Sequence, residues 1–118
     1  MKLVSLSERP PDFSEQVTGI KGAHLKIAYL EIGGTQLELI QYLSPIGKKL
    51  DTTPCNIGSS HLAFDVDNID EMVRSLKENG VHVVTKEPVV VPVGPNKGNR
   101  IVYLNDYDGI TLELIQRA

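Results

Sequence analysis

Two glutamates and one histidine are the residues of this 118-residue chain whose types and positions suit them for chemistry. Glu38 and Glu113 each lie inside an apolar run, flanked by leucines and followed two residues later by isoleucine. A carboxylate on a covered sheet face is costly unless a cation or hydrogen-bond donors compensate it. His61 opens a third strand-like run, on the same face as Ala63. Two carboxylates and one imidazole form a ligand set suited to Zn, Mn, Co, Ni or Fe(II).

Each of these residues also has an ordinary structural interpretation. A glutamate in a strand can face water or pair with Lys or Arg, and a lone histidine is more often structural than a ligand. Two glutamates at equivalent positions of a repeat favour a site, because symmetry brings equivalent positions towards a shared axis. The chemical interpretation therefore depends on whether the chain is built from a repeat.

An internal repeat does place the two glutamates at equivalent positions. The pentapeptide at residues 37–41 recurs at residues 112–116, an offset of 75. A similar strand precedes each copy, at residues 27–30 and at residues 101–104. Each strand is joined to its pentapeptide by a glycine-containing turn, as hairpins prefer. Matching segments that recur in the same order, at a nearly constant offset, predict a duplicated structural unit.

The second copy contains the fuller set of predicted elements. Asn68 and Glu71 have the spacing of a capping box, and Gly80 follows at the position where a helix would end. Apolar residues recur between them with helical periodicity. Strands are predicted at residues 60–66, 81–86, 100–105 and 110–116. The predicted order is strand, helix and three further strands.

The first copy contains only the last three of these strands, at residues 2–7, 24–32 and 35–43. The offset would place the counterpart of His61 before Met1, so the first module is expected to lack its first strand and helix. A misplaced start, a fragment and a natural short form all stay open. The predicted organisation is a truncated first module (residues 1–44), a linker (residues 45–58) and a complete second module (residues 59–118). The stretches at residues 10–22 and 88–99 are predicted to be a polar loop and an extended arm.

Composition excludes several classes of function. With 41% hydrophobic and 23% charged residues the chain is expected to fold rather than to stay disordered. A net charge of −3 argues against nucleic acid or an anionic membrane as partner, and no apolar run is long enough to cross a bilayer. One cysteine, Cys55, closes no internal disulfide, and the first residues do not resemble a secretory signal. A cytoplasmic protein with a small-molecule partner is expected.

Residues 58–80 and 103–114 together resemble the vicinal oxygen chelate superfamily. This superfamily includes glyoxalase I, methylmalonyl-CoA epimerase, fosfomycin- and bleomycin-resistance proteins and extradiol dioxygenases. The resemblance covers essentially the whole chain and implies an α+β fold, in which paired βαβββ modules form a U-shaped cleft. Residues 38–45 and 94–100 are also similar to the 2-epi-valiolone epimerase group. Tyr107 departs from the pattern, because many relatives have proline in this turn.

The resemblance implies roles for the three chemical residues. Glu38 looks like the last-strand metal ligand of module one, and His61 and Glu113 resemble the first- and last-strand ligands of module two. A divalent ion held there would chelate two vicinal substrate oxygens and stabilise an enediolate. Glu113 is the expected general base and acid, with Glu38 as the alternative. The implied activity is that of a metal-dependent lyase or isomerase, of glyoxalase or epimerase type, acting on a small vicinal-oxygen substrate.

Three polar residues near the second glycine-rich turn are candidate substrate contacts, namely Asn96, Asn99 and Arg100. Their structural interpretation is a solvated hairpin loop. Two alternatives to the enzyme stay open, which are a metal-free ligand-binding module of the bleomycin-resistance type and an inactive truncated form. A homodimer is expected, because a three-stranded module exposes a sheet edge and an apolar face.

Overall fold

Two units of mixed helix and sheet make up the chain in the computed structural model, which describes every residue from Met1 to Ala118. Unit 1 is Met1–Lys48 and unit 2 is Lys49–Ala118. Each unit contains one α-helix and its own β-sheet. The predicted α+β class is therefore confirmed, while the module boundaries given above stay a prediction. Neither helix has the length and apolarity that crossing a membrane requires.

Unit 1 is a three-stranded antiparallel sheet with one short helix. Its strands are β1 (Lys2–Arg9), β2 (His24–Ile32) and β3 (Thr35–Ser44), in the spatial order β1-β2-β3. The strands lie where the sequence predicts them. The turn between β2 and β3 contains Gly33 and Gly34, both at positive φ, which glycine adopts without steric cost.

The helix of unit 1 corrects one prediction. Residues 10–22 were expected to form a polar loop, but α1 occupies Pro11–Thr18. Proline is tolerated in the first turn because the first helical N–H groups have no partner within the helix. Gly19, at φ 70°, ends the helix in the left-handed conformation, and its N–H donates to the carbonyl of Glu15. Pro11 and Gly19, whose residue types are also typical of loops, therefore mark the start and the end of a short helix.

Unit 2 carries the second copy of the repeat. Its elements are β4 (His61–Asp65), α2 (Ile69–Glu78), β5 (His82–Val83), β6 (Val89–Val90), β7 (Arg100–Asn105) and β8 (Thr111–Gln116). The sheet order is β4-β8-β7-β5, and β6 also pairs with β7. Strands β4 and β8 are parallel and the other pairs are antiparallel.

The predicted helix and the last two predicted strands of unit 2 are confirmed. Asn68 caps α2 by accepting a hydrogen bond from the N–H of Glu71 at 3.1 Å. The predicted strand at residues 81–86 is only partly formed. After the two residues of β5, the N–H of Val84 donates to the carbonyl of Tyr103 at 2.9 Å, and the next ladder pairs with β7 are those of β6. Pro88 and Pro92 flank β6 and have no N–H to donate to a ladder, which limits the pairing there.

The two faces of the unit 2 sheet have different roles. Side chains alternate along a strand, and ladder partners point to the same side. One face packs against α2 and forms a core of Ile69, Val73, Val102, Leu104 and Leu114, all less than 7% exposed. We call the opposite face the Glu113 face. It carries His61, Ala63, Val84, Val89, Ile101, Tyr103 and Glu113.

Candidate functional site

His61 and Glu113 meet on the Glu113 face. The parallel pairing of β4 with β8 sets Ala63 opposite Glu113, two residues from His61. The Nε2 atom of His61 lies 3.1 Å from Oε2 of Glu113. The side chain of Glu113 is 12% exposed and that of His61 is 42% exposed. A largely covered carboxylate is thus paired with an imidazole that solvent can reach.

Tyr103 adds an aromatic wall to this pair. It is the ladder partner of Glu113 on β7, and its ring centroid lies 5.4 Å from that of His61 at an interplanar angle of 40°. Tyr103 was not among the candidate site residues predicted from the sequence. The available signal was the repeat, because Tyr29 precedes Glu38 much as Tyr103 precedes Glu113.

Glu38 lies in unit 1, on β3, where it is the ladder partner of Tyr29. The hydroxyl of Tyr29 donates a hydrogen bond to Oε1 of Glu38 at 2.9 Å. This bond raises the pKa of Tyr29 above its ordinary value of 10.0. Glu38 is exposed, so the expectation of a covered carboxylate holds for Glu113 and is wrong for Glu38. The repeat thus builds two Tyr–Glu ladder pairs with different solvent exposure.

The geometry of the His61–Glu113 pair is compatible with a shared divalent ion. Two ligand atoms bound to one ion at ordinary lengths and at angles between a right angle and the tetrahedral angle lie roughly 2.8–3.6 Å apart. The observed 3.1 Å falls in this range and also suits a hydrogen bond. No group of three or more His, Cys, Asp or Glu side chains gathers to hold a metal ion. The two side chains therefore fit as part of a metal site that needs further ligands.

The three candidate substrate contacts also have contacts within unit 2. Asn99 is 7% exposed, and its Oδ1 accepts a hydrogen bond from the N–H of Ala118 at 3.1 Å. The backbone N–H of Asn99 donates to the carbonyl of Asn96 at 3.1 Å. Arg100 donates two hydrogen bonds to the carboxylate of Asp70, at 2.5 and 2.7 Å. A substrate-binding role for these residues stays a prediction.

The Asp70–Arg100 pair predicts a pH-dependent stability. The hydrogen bond from Arg100 lowers the pKa of Asp70 below its ordinary 3.8. A carboxyl with a lowered folded-state pKa stabilises the fold above the unfolded pKa, and this contribution is lost as the pH falls through the folded value. Asp70→Asn should therefore be less stable than the wild type near neutral pH, with a difference that shrinks below about pH 4. Urea unfolding of the wild type and of Asp70→Asn, from neutral to acid pH, measures this difference in the free energy of unfolding.

Asp67→Asn provides the matched control, because Asp67 lies close by and forms no ion pair. A stability difference for Asp70→Asn that stays constant from neutral to acid pH would contradict the contribution assigned to this pair.

Comparison with known proteins supports the resemblance drawn from the sequence. The chain is 35% identical over 95 residues to a 2-epi-5-epi-valiolone epimerase from Actinomyces sp, covering 79% of this chain and 51% of that protein. It is 29% identical over 97 residues to the mitochondrial methylmalonyl-CoA epimerase of Homo sapiens, covering 78% of this chain and 52% of that protein. The chain thus spans about half the length of these curated relatives.

A solved structure and a family model agree on the fold. A glyoxalase family protein from Bacillus cereus superimposes with a TM-score of 0.81 at 25% identity, covering 98% of this chain and 77% of that one. This likeness confirms the predicted fold class. Residues 12–114 match the model of the Glyoxalase/Bleomycin resistance protein/Dioxygenase superfamily. The chain therefore belongs to the glyoxalase/bleomycin resistance protein/dioxygenase superfamily, also called the vicinal oxygen chelate superfamily.

Proposed function

We propose that this protein is a metal-dependent lyase or isomerase, of glyoxalase or epimerase type, acting through an enediolate. Its substrate is a small hydroxy-carbonyl compound with two vicinal oxygens. The observation that carries this proposal is the largely covered Glu113 carboxylate, 3.1 Å from the imidazole of His61. The two epimerases among its relatives support an isomerase over a ring-cleaving oxygenase.

Glu113 is the proposed general base and acid. Its side chain is only 12% exposed, so a substrate held beside this carboxylate would meet it with little water between them. It removes the proton from the carbon beside the substrate carbonyl, which leaves the enediolate, and in an isomerase it returns the proton to the neighbouring carbon on the same face. In an epimerase the enediolate turns over before the same carboxylate returns the proton to the other face. Glu38 is the alternative for this role.

His61, Glu113 and Glu38 are the proposed metal ligands, and the identity of the ion, Zn, Ni, Co, Mn or Fe, stays open. A divalent ion supplies Lewis-acid polarisation of the carbonyl, which acidifies the adjacent C–H bond. His61 holds its ring beside Tyr103, which restricts the orientation of the imidazole. The hydrogen bond that Glu38 accepts from Tyr29 orients this carboxylate in the same way.

Hydrogen exchange with solvent tests this function whichever product the reaction forms. The protein is incubated in D₂O with hydroxyacetone and, separately, with 2-hydroxyacetophenone, in each case in turn with Zn²⁺, Ni²⁺, Co²⁺, Mn²⁺ and Fe²⁺. Loss of the proton beside the carbonyl is followed by NMR. Protein-dependent and metal-dependent exchange of at least one compound is expected. If neither compound exchanges its proton with any of the five metals, the proposed chemistry is contradicted.

A metal-free ligand-binding module is the second candidate. It is favoured by the finding that only two metal-ligating side chains, His61 and Glu113, meet in unit 2. This function predicts ligand binding that chelation with EDTA leaves unchanged. The enzyme predicts that EDTA abolishes exchange and that added Co²⁺ restores it.

We also propose that the two units correspond to the two modules, residues 1–44 and 59–118, and that the protein is a homodimer. Leu3, Leu6 and Leu39 are 50–57% exposed and share one face of the unit 1 sheet. By the repeat offset, Leu39 is equivalent to Leu114, which α2 covers in unit 2. An uncovered apolar face of this kind favours self-association. Sedimentation equilibrium should give the mass of a dimer, and a folded monomer at micromolar concentration would contradict it.

A further inference from the structure

An apolar cavity of about 380 Å³ adjoins Glu113 in unit 2. Its lining includes Val84, Val89, Val90, Pro92, Ile101 and Tyr103, and Glu113 is the one charged residue in it. This volume lies within the range of pockets that bind small molecules, about 300–1,000 Å³. It also exceeds the roughly 150 Å³ that suffices to hold a benzene ring.

The strand register places apolar side chains of this cavity on the same face of the sheet as the Glu113 carboxylate. Val89 is the ladder partner of Ile101, and Tyr103 is the ladder partner of Glu113. Ile101 and Tyr103 are two residues apart on β7, so they point to the same side. A molecule whose reacting carbon lies at Glu113 therefore has its nearest substituent against valine and isoleucine side chains.

The valine side chains that line the cavity on this face are exposed to solvent. Val84 is 53% exposed and Val89 is 58% exposed. Covering such surface with a hydrocarbon or aromatic group is favourable in proportion to the apolar area removed from water. Hydroxyl groups placed against it would lose hydrogen bonds to water and find few partners.

We propose that this cavity binds an apolar substituent of the substrate. The substrate class is then a hydroxy-carbonyl compound with a hydrocarbon or aromatic group next to its oxygen pair, and not a polyhydroxylated ring. This assignment of substrate class rests on the proposed function.

Two 2-hydroxy acids with the same oxygen pair test the assignment. Mandelate carries a phenyl group where glycerate carries a hydroxymethyl group. Binding of each is measured by NMR titration of methyl-labelled protein, once with EDTA and once with Co²⁺. Mandelate should bind at least about tenfold more tightly than glycerate, since the phenyl group adds buried apolar area. Its largest shifts should fall on the methyl groups of Val89 and Ile101.

Val89→Asn should remove this preference, and Val84→Asn provides a second variant if the first does not fold. Val93→Asn is the matched control, because Val93 is 73% exposed and does not line the cavity. Equal affinity for the two acids, or shifts remote from the cavity, would overturn the proposal. A mandelate preference without metal-dependent exchange would overturn the proposed enzymatic function and leave the cavity assignment standing. Metal-dependent exchange of the substrate proton without a preference for mandelate would support the proposed enzymatic function and overturn the cavity assignment.

Discussion

Glu113→Gln is expected to lower the metal-dependent hydrogen-exchange rate by roughly a thousandfold. A neutral amide cannot take up the substrate proton, and it is a weaker metal ligand than a carboxylate. Glutamine has nearly the same shape as glutamate, so it can remain beside His61 and preserve the sheet. The initial exchange rate of wild type and variant, at equal Co²⁺ concentration, measures the effect, and circular dichroism verifies the fold.

Two further substitutions distinguish the role of Glu113 from that of other glutamates. Glu78→Gln is the matched control, because Glu78 ends α2, which packs on the face opposite Glu113, and its exchange rate should equal that of the wild type. Glu38→Gln tests the alternative base. If Glu113→Gln keeps its rate within about tenfold of the wild type while Glu38→Gln loses it, the assignment of base and acid to Glu113 is wrong.

Ile69→Ala is expected to have the largest effect on stability, a loss of about 3 kcal/mol. Ile69 is 0% exposed and belongs to the core that α2 forms with Val102 and Leu114. Truncation removes its buried methyl groups and leaves a cavity that the first turn of a capped helix cannot collapse to fill. Because the whole free energy of unfolding of a domain is about 5–15 kcal/mol, the shift in the urea midpoint should be large.

Met72→Ala is the control within the same helix. Met72 is 41% exposed, so its truncation should cost less than about 1 kcal/mol. Equal losses for the two variants would contradict the packing of Ile69 against β7 and β8. Amide hydrogen exchange of these two strands reports on unit 2 alone and therefore separates its opening from that of unit 1.

The elements of unit 2 were largely predictable because their signals are local. Asn68, Glu71 and Gly80 mark the ends of α2, and apolar residues between them repeat with the period of a helix. Strands β7 and β8 follow runs of β-branched and aliphatic residues. Glu38 and Glu113 were predicted as site residues because they occupy equivalent positions of the repeat, which is visible directly in the sequence.

Other features depend on non-local or competing effects. The meeting of His61 with Glu113 requires β4 to pair in parallel with β8, which joins residues 52 apart in the chain. The Asp70–Arg100 pair similarly joins a helix to a strand 30 residues away. Helix α1 was missed because it is eight residues long and its proline also suits a loop. The local sequence pattern does not determine which distant segments pair, and it does not separate a short helix from a loop.

Stoichiometric metal binding tests the central claim most directly. Wild-type protein, freed of metal with EDTA, is titrated with Co²⁺ in a calorimeter alongside His61→Ala and Glu113→Gln. We predict one ion per chain for the wild type and an affinity at least about tenfold lower for each variant. No stoichiometric binding by the wild type, or equal affinity in all three proteins, would contradict the assignment of His61 and Glu113 as a metal-binding pair.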